Sequence, residues 1–294
     1  MKSAVAPELR AAFWMIGAIV SFSFMAVAGR WLADGYDTFE IMLYRSITGA
    51  IIVLFIGGFF GTLSEITLRS APVQILRNLF HFAGQNLWFF AITVIPLAQV
   101  FALEFTSPIW VLILSPLFLG ERLTRPRAIA AILGFIGILI VTRPGASPIN
   151  AGIIAGAIAA ICFAFTGILT KRLTRNESLT CILAYLTLTQ LVFGLICAGY
   201  DGDIALPTLQ SAPLLAMVGL AGLVAHFCLT KALSIAPATV VIPIDFTRLP
   251  IIAIVGMVMF GEMLDIWVFI GAALIFAGNY YNITSESKKS QVSD

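Results

Sequence analysis

Short polar stretches divide the chain into ten apolar segments, each about as long as a membrane crossing requires. A helix needs roughly 20 mainly apolar residues to span the hydrocarbon core. Only 11% of the residues are charged and 60% are hydrophobic, whereas a soluble domain has roughly 25% charged residues. The sequence therefore predicts an all-α membrane protein with ten transmembrane helices. The predicted spans are residues 9–30, 38–60, 70–93, 97–119, 127–142, 150–171, 178–199, 211–234, 238–260 and 265–283.

Lysine and arginine in the loops predict how these helices are oriented. Basic residues are enriched in short loops on the cytoplasmic side. With the N-terminus inside, the outer loops hold only Arg30 and Arg143. Both termini are therefore predicted to be cytoplasmic, in a bacterial inner membrane, with residues 284–294 as a disordered cytoplasmic tail. The inner side holds Lys2, Arg10, Arg69, Arg122, Arg125, Arg127, Lys171, Arg172, Arg175, Lys231, Lys288 and Lys289.

The overall charge and the cysteines exclude several classes of function. The net charge of +2 gives no strong attraction to nucleic acid. The four cysteines stand singly in apolar stretches, without metal-ligand spacing. No cofactor or metal site is therefore predicted, and no constellation of catalytic residues points to an enzyme. The expected partners are the lipid bilayer and a small-molecule substrate.

The same sequence occurs twice in the chain. EFTSPIWVLILSPLFLGERL at 104–123 returns as DFTRLPIIAIVGMVMFGEML at 245–264, an offset of 141 residues. An odd number of spans in each copy forces the copies into opposite orientations. The chain is thus predicted to consist of two inverted five-helix repeats, residues 9–142 and 150–283, related by a pseudo-twofold axis in the membrane plane. At the same offset, Phe22 matches Phe163, Phe24 matches Phe165, Arg30 matches Lys171, Tyr44 matches Tyr185, Thr48 matches Thr189, and Pro96 matches Pro237.

Four of the charged residues within the predicted spans are candidates for gating or coupling. A charge at the bilayer centre costs about 2.5–3.5 kcal/mol, so each needs a partner, a cavity or a role. Arg45 and Glu104 both lie roughly 10 Å below the outer face, at 1.5 Å per residue, so the two could meet. Asp245 and Arg248 are three residues apart, lie toward the inner side, and can pair locally. Two interpretations stay open. The charges form structural ion pairs between helices, or they are functional, either as inner and outer gates or through a carboxylate that binds a coupling proton.

A polar stripe marks span 3 as the source of substrate contacts. Its residues recur at helical spacing and must face protein or water. Substrate binding is predicted for Arg77, His81, Gln85 and Trp88, with Phe22 and Phe163 lining a cavity for a flat ligand. The alternative is that the histidine is a hydrogen-bonded core group and the phenylalanines face lipid or core. The stripe consists of Gln74, Arg77, Asn78, His81 and Gln85, with Trp88 at its end.

Prolines inside the two repeated spans predict kinks. Each proline removes a backbone hydrogen bond from its helix. Kinks in two symmetry-related helices suit a gating element, although packing alone would also explain them. The residues concerned are Pro108, Pro116, Pro243 and Pro250.

The chain resembles the drug/metabolite transporter superfamily in its EamA-type branch. The resemblance rests on the two tandem five-span units, the turn at Pro96, and the Gly-Glu pairs at 120–121 and 261–262. It implies ten helices, cytoplasmic termini, a central cavity bounded by spans 1, 3, 4, 6, 8 and 9, and secondary transport without a nucleotide-binding domain.

Members of that branch export amino acids or take up riboflavin, S-adenosylmethionine and similar metabolites. The stretches Phe-Glu-Ile-Met-Leu-Tyr-Arg at 39–45 and Asp-Phe-Thr-Arg-Leu-Pro at 245–250 look more like the uptake members. The resemblance therefore implies uptake of a vitamin-like heteroaromatic solute, for which riboflavin is the named expectation. An exporter of amino acids or toxic compounds is the alternative.

Overall fold

The computed structural model describes residues 7–119, 125–143, 149–174, 176–235, 244–245 and 247–292. Within these ranges the regular structure is entirely helical, in agreement with the all-α fold predicted from the sequence. A short 3₁₀ turn spans Thr62–Glu65. The helices are α1 (Pro7–Leu32), α2 (Thr38–Phe59), α3 (Ala71–Val94), α4 (Leu97–Glu104), α5 (Ser107–Leu119), α6 (Arg125–Thr142), α7 (Ala151–Leu173), α8 (Leu179–Ala198), α9 (Ala212–Ile235), α10 (Arg248–Phe260) and α11 (Ile266–Val292).

The helices correspond to the predicted spans, and span 4 is divided into α4 and α5. By length and composition, five of the described helices, namely α1, α2, α7, α8 and α9, can cross a membrane, and shorter apolar helices accompany them. Helix α11 continues to Val292, so the prediction of a disordered tail is wrong for residues 284–292. The physical reason is that the sequence after Gly278 contains neither glycine nor proline, and its Ser, Glu, Lys and Gln residues are compatible with a helix.

Apolar side chains cover the outside of the bundle, and polar side chains lie inside it. Phe13 of α1, Phe55 of α2 and Val258 of α10 are each more than 70% exposed. The polar stripe of α3 is buried, while Leu79 on the same helix is exposed. This distribution is the one expected of a bundle surrounded by lipid, because the hydrocarbon core cannot solvate polar groups.

Helix starts are fixed by side-chain caps that the sequence supplies. Asp37 accepts the N–H of Glu40, and the Glu40 carboxylate accepts the N–H of Asp37, a reciprocal capping box at the start of α2. Asn150 caps α7 and Ser178 caps α8 in the same manner, each accepting a backbone N–H three residues on. These caps set where the membrane helices begin.

The contacts between helices follow the pseudo-twofold relation between the repeats. The most extensive contacts join α1 to α9, α3 to α7, α2 to α8 and α6 to α11. Exchanging the two halves converts the first pair into the second, and it converts each of the other two pairs into itself. Equivalent side chains also form equivalent contacts in the two repeats. Ser70 Oγ donates to Glu177 Oε1 at 2.6 Å, and the equivalent Ser211 Oγ lies 2.6 Å from Tyr36 Oη.

The equivalent helices α2 and α8 run antiparallel, which establishes that the repeats are inverted. The loop before α8 meets the end of α2, where Thr67 Oγ1 donates to Glu177 Oε2 at 3.0 Å. At the opposite end, Tyr44 near the start of α2 donates its hydroxyl to the carbonyl of Ala205, after α8, at 2.7 Å. We call these two faces of the bundle the Glu177 end and the Arg30 end. The Arg30 end carries Arg30, Tyr36, Pro96, Arg143, Ala205 and Glu262.

Candidate functional site

The predicted spans 4 and 9 are both interrupted near the middle of the bundle. Between α4 and α5 the chain forms a turn at 105–106, and Thr247 forms a turn directly before α10, which begins at Arg248. The two turns share an equivalent threonine of the repeated acid-Phe-Thr sequence, Thr106 in the first and Thr247 in the second. Broken helices at corresponding positions of two inverted repeats are typical of the solute sites of secondary transporters. Irregular backbone at this depth requires polar surroundings.

A threonine hydroxyl satisfies the equivalent carbonyl at each interruption. Thr106 Oγ1 donates to the carbonyl of Leu103 at 2.7 Å, and Thr247 Oγ1 donates to the carbonyl of Ile244 at 2.7 Å. Such side-chain bonds replace helical bonds that the interruption removes. The two breaks are therefore built by the same residues in the two repeats.

Pro108 accounts for the first interruption, as predicted for a kink. It has no N–H to donate to the carbonyl of Glu104, and Ser107 Oγ donates to that carbonyl instead, at 2.7 Å. Pro116 lies within the continuous helix α5, Pro250 lies in the first turn of α10, and Pro243 lies outside the described residues.

Two carboxylates, one arginine and one tryptophan meet at these breaks and form what we call the carboxylate network. Arg248 Nη2 donates to Glu104 Oε1 at 2.7 Å and to Asp245 Oδ2 at 3.2 Å. Trp88 Nε1 donates to Glu104 Oε2 at 2.8 Å. Arg248 is only 1% exposed, so its charge depends on these partners. With both acids ionised, the network carries one net negative charge.

The predicted contact between Arg45 and Glu104 is wrong, and the local pair of Asp245 with Arg248 is confirmed. Glu104 instead pairs with Arg248, which the sequence assigned to the opposite side of the membrane. The physical reason is the pseudo-twofold relation. Glu104 and Asp245 are equivalent positions at two symmetric breaks, so both lie near the axis and share one arginine. Separate inner and outer pairs are therefore not formed by these groups.

Aromatic rings surround the guanidinium of Arg248. Its Cζ lies 4.8 Å from the ring centres of Phe22 and Phe101 and 5.3 Å from that of Phe105. Cation–π contacts of this kind stabilise a desolvated arginine. Phe22 also contacts His226 edge-on, with ring centres 5.5 Å apart. Phe22 thus connects the carboxylate network to a second polar group of residues.

That second group consists of Arg45, Arg77, His81 and His226, and we call it the basic cluster. The two imidazoles are 5.1 Å apart, and His81 also lies 6.0 Å from the ring of Phe163. Both arginines are close enough to act electrostatically on the two histidines. Among the described residues, neither ring nitrogen of His81 has a hydrogen-bond partner. The cluster therefore offers hydrogen-bonding atoms that the described part of the chain does not use.

The remaining predicted substrate residues lie on the buried face of α3. Arg77 Nη1 donates to Asn78 Oδ1 at 2.7 Å, and Arg77 Nε donates to Thr170 Oγ1 at 3.1 Å. Gln85, one turn beyond His81, is 4% exposed, and its Oε1 has no partner among the described groups. Helix α3 thus brings the predicted residues Arg77, His81, Gln85 and Trp88 to one buried face.

Sequence reasoning missed the contact between His81 and His226. The two residues lie at similar distances from the ends of α3 and α9 that belong to the Glu177 end, and that equal depth is a signal the sequence contains. Sequence reasoning also gave no role to Glu262, although Glu262 belongs to one of the repeated Gly-Glu pairs.

An ion pair joins the two repeats at the Arg30 end. Arg30 Nη1 pairs with Glu262 Oε1, and Arg30 Nη2 donates to the carbonyl of Ile95 at 2.7 Å. The same carboxylate accepts the N–H of Leu97 at 3.0 Å, at the start of α4, where the helix dipole favours a negative charge. Both side chains are less than 16% exposed. The pair links the end of α1 to the start of α4 and to the residue that follows Gly261 after α10. The other Gly-Glu pair, at 120–121, lies outside the described residues.

Proteins named as small-molecule transporters are similar in sequence to this chain over nearly its whole length. The sequence pattern of the EamA-like transporter family matches residues 9–143 and 150–284, once for each half. A protein named S-adenosylmethionine uptake transporter from Rickettsia bellii is 30% identical over 94% of this chain and 94% of its own length. A riboflavin transporter from Brucella anthropi is 30% identical over 94% of this chain and 99% of its own length. Another riboflavin transporter, from Vibrio cholerae, is 27% identical and covers 96% of each chain.

A crystal structure of a protein shares the fold. It superimposes with a TM-score of 0.64 at 17% identity, covering 92% of this chain and 96% of the other. Similarity at this level of identity bears on the fold alone.

Proposed function

Because the chain belongs to the EamA-like transporter family, we propose that it is a secondary transporter that takes up a small heteroaromatic metabolite by alternating access. The named relatives support transport of a metabolite, and their names supply two candidate solutes, S-adenosylmethionine and riboflavin. One observation carries the proposal: the carboxylate network lies at the interruptions of the two equivalent helices, and Phe22 connects it to the basic cluster.

The chemistry of the centre suits a flat, polar solute. Phe22 and Phe163 offer ring surfaces, and aromatic rings bind heteroaromatic rings by offset or edge contacts. His81 and Gln85 offer hydrogen-bonding atoms beside them. Both candidate solutes have a heteroaromatic ring with polar substituents, so both would bind to the same side chains.

The proposed transport cycle exchanges closure between the two ends. In this cycle the pair of Arg30 with Glu262 is the contact that holds the Arg30 end closed. An inverted repeat has a second arrangement of similar free energy, in which the opposite end closes. The central site would bind the solute in either arrangement. A solute that enters from one side would therefore be released on the other side when the arrangement changes.

We assign the Arg30 end to the outside of the inner membrane and both termini to the cytoplasm. The excess of lysine and arginine at the Glu177 end supports this orientation. Reporter fusions at each terminus and in the loop at 199–211 test it. Both terminal fusions should report a cytoplasmic location, and the loop fusion a periplasmic one. A periplasmic location for either terminus would contradict the assignment.

Uptake of labelled solutes by whole cells tests the function. Cells that express the chain should accumulate labelled S-adenosylmethionine or labelled riboflavin faster than cells with an empty vector. Faster loss of preloaded amino acids or toxic compounds would support the exporter alternative instead. Absence of flux of every tested solute, with the protein present in the membrane, would contradict transport of these solute classes.

Variants of α3 connect the flux to the site. His81→Ala and Gln85→Ala should lower uptake while the amount of protein in the membrane stays unchanged. Val20→Ala, on the exposed apolar face of α1, is the matched control and should behave like the wild type. Equal loss of protein and uptake in the α3 variants would indicate a structural role.

A further inference from the structure

Arg45 is a buried charge that has no acidic partner among the described residues. It is only 6% exposed. Its one hydrogen-bond contact is weak, from Nη1 to the sulfur of Met42 at 3.8 Å, and its Nε has none. The carboxylates of the broken helices, Glu104 and Asp245, are already held by Arg248. An unpaired charge at this depth costs several kcal/mol, which favours a negative group beside the guanidinium.

The surroundings of Arg45 add positive charge. The guanidinium of Arg77 repels that of Arg45, and the contacts of Arg77 are with the neutral side chains of Asn78 and Thr170. His226 faces the same two charges. Electrostatics at this point of the bundle therefore favours an anion over a water molecule, because water satisfies donors without compensating charge.

A cavity of about 20 Å³ adjoins Arg45 between α2, α8 and α9. A volume of about 10–15 Å³ accommodates a single water-sized group. Gln190, only 1% exposed, lines the cavity, and its Nε2 has no acceptor among the described residues. Two buried donors, Arg45 Nε and Gln190 Nε2, thus belong to residues that line one small space.

Glycines make room for this arrangement. A Cβ atom at Gly222 would lie 2.5 Å from Arg45 Nε, and one at Gly219 would lie 3.0 Å from the carbonyl oxygen of Arg45. The guanidinium therefore occupies space that only glycine in α9 leaves open.

We propose that Arg45 and Gln190 form a binding site for a small anionic group between α2, α8 and α9. Two sources supply the same chemistry: a free halide such as chloride, or the carboxylate of the transported solute. The second source rests on the proposed function and favours S-adenosylmethionine, which has a carboxylate, over riboflavin, which has none.

Thermal unfolding of the purified full chain tests the free anion. Chloride replaces methanesulfonate at constant ionic strength. Occupancy of the native state should raise the Tm saturably, by roughly 2–4 °C. Arg45→Gln and Gln190→Leu should each remove the rise. Arg143→Gln, which alters a half-exposed ion pair with Asp265 at the Arg30 end, should retain it. The Gln190→Leu variant keeps the test valid if Arg45→Gln does not fold.

Ligand binding in chloride-free buffer tests the solute carboxylate. Wild-type protein should bind S-adenosylmethionine about tenfold or more tightly than its decarboxylated analogue. Arg45→Gln should abolish that preference. A chloride response assigns the site to a free anion, and a lost carboxylate preference assigns it to the solute. No response in either experiment overturns the proposal. A chloride response without binding of either candidate solute supports the anion site and contradicts the proposed solutes.

Discussion

Glu104 has two strong partners at the centre, whereas Asp245 has one longer contact. Arg248 and Trp88 approach separate oxygens of the Glu104 carboxylate at 2.7 and 2.8 Å, while Arg248 lies 3.2 Å from Asp245. Hydrogen bonds to charged groups contribute about 1.5–3 kcal/mol each. Glu104 is therefore the acid whose charge the network depends on most.

Glu104→Gln should lower the maximal rate of transport about tenfold to a hundredfold, because Arg248 loses its closer carboxylate. Asp245→Asn should have a smaller effect. Initial rates at several pH values measure both. If Glu104 binds a coupling proton, the pH profile of Glu104→Gln becomes flat, and an unchanged profile removes Glu104 from that role. A fully active Glu104→Gln beside an inactive Asp245→Asn would contradict this ranking.

At the residue scale, the helical spacing of polar residues predicted which side chains of α3 share one buried face. It did not predict which residues pair with each other. The spacing of polar residues in α3 predicts that His81 and Gln85 share a buried face, since helical spacing alone determines the face. The choice of Arg248 over Arg45 as the partner of Glu104 depends on where two broken helices cross, and no local spacing encodes that crossing.

The interruption between α4 and α5 depends on a hydrogen bond from Ser107 to the carbonyl of Glu104. Pro108 leaves the carbonyl of Glu104 without its helical N–H, and the Ser107 hydroxyl donates to it. The same proline that breaks the helix thus makes the serine necessary. Removing the serine while the proline remains leaves a partly buried acceptor unsatisfied.

A double-mutant cycle tests this dependence. Ser107→Ala should lower the free energy of unfolding by about 1 kcal/mol in the wild type and have almost no effect in Pro108→Ala, where alanine supplies the N–H. Thermal unfolding in one detergent measures the four proteins. Equal losses in both backgrounds would show that the hydroxyl and the proline act independently.

At the element scale, hydropathy predicted the spans, but the break within span 4 was predicted only as a kink. Pro108 and Pro116 stand in the same apolar run, yet only Pro108 adjoins an interruption. A proline in a membrane helix is accommodated or not according to its neighbours, and Ser107 and Thr106 supply the hydroxyls that stabilise the open backbone.

The two repeats are held together where α6 and α11 approach most closely. A Cβ atom at Gly137 would lie 2.8 Å from the carbonyl oxygen of Gly271, which belongs to backbone and cannot rotate away. Small residues at such positions let two helices pack at short range, and in lipid this packing is a main source of association.

Gly137→Ala should therefore lower the free energy of unfolding by about 1–3 kcal/mol through overpacking. Gly167→Ala in α7, where no atom lies within 4 Å of the added carbon, is the matched control. It should be neutral or stabilise the helix by up to about 1 kcal/mol. Thermal unfolding of the two variants measures the difference. Equal stability of both variants would contradict a tight contact between α6 and α11.

At the whole-molecule scale, the repeat was visible in the sequence because the two copies align without a gap. The offset predicts inversion from the odd number of spans, and the antiparallel α2 and α8 agree with it. Which helices pair across the repeats was not predictable, because every apolar face in the chain is chemically alike. The contacts of α1 with α9 and of α3 with α7 are decided by shape.

Solute counterflow in proteoliposomes tests alternating access at this central site most directly. Vesicles loaded with unlabelled solute are diluted into trace labelled solute, S-adenosylmethionine and riboflavin in separate experiments. A carrier that exposes one site to each side in turn should produce a transient accumulation of label above its equilibrium level with one of them, and Glu104→Gln should suppress it. Monotonic equilibration without an overshoot, or no entry of either label, would contradict the account.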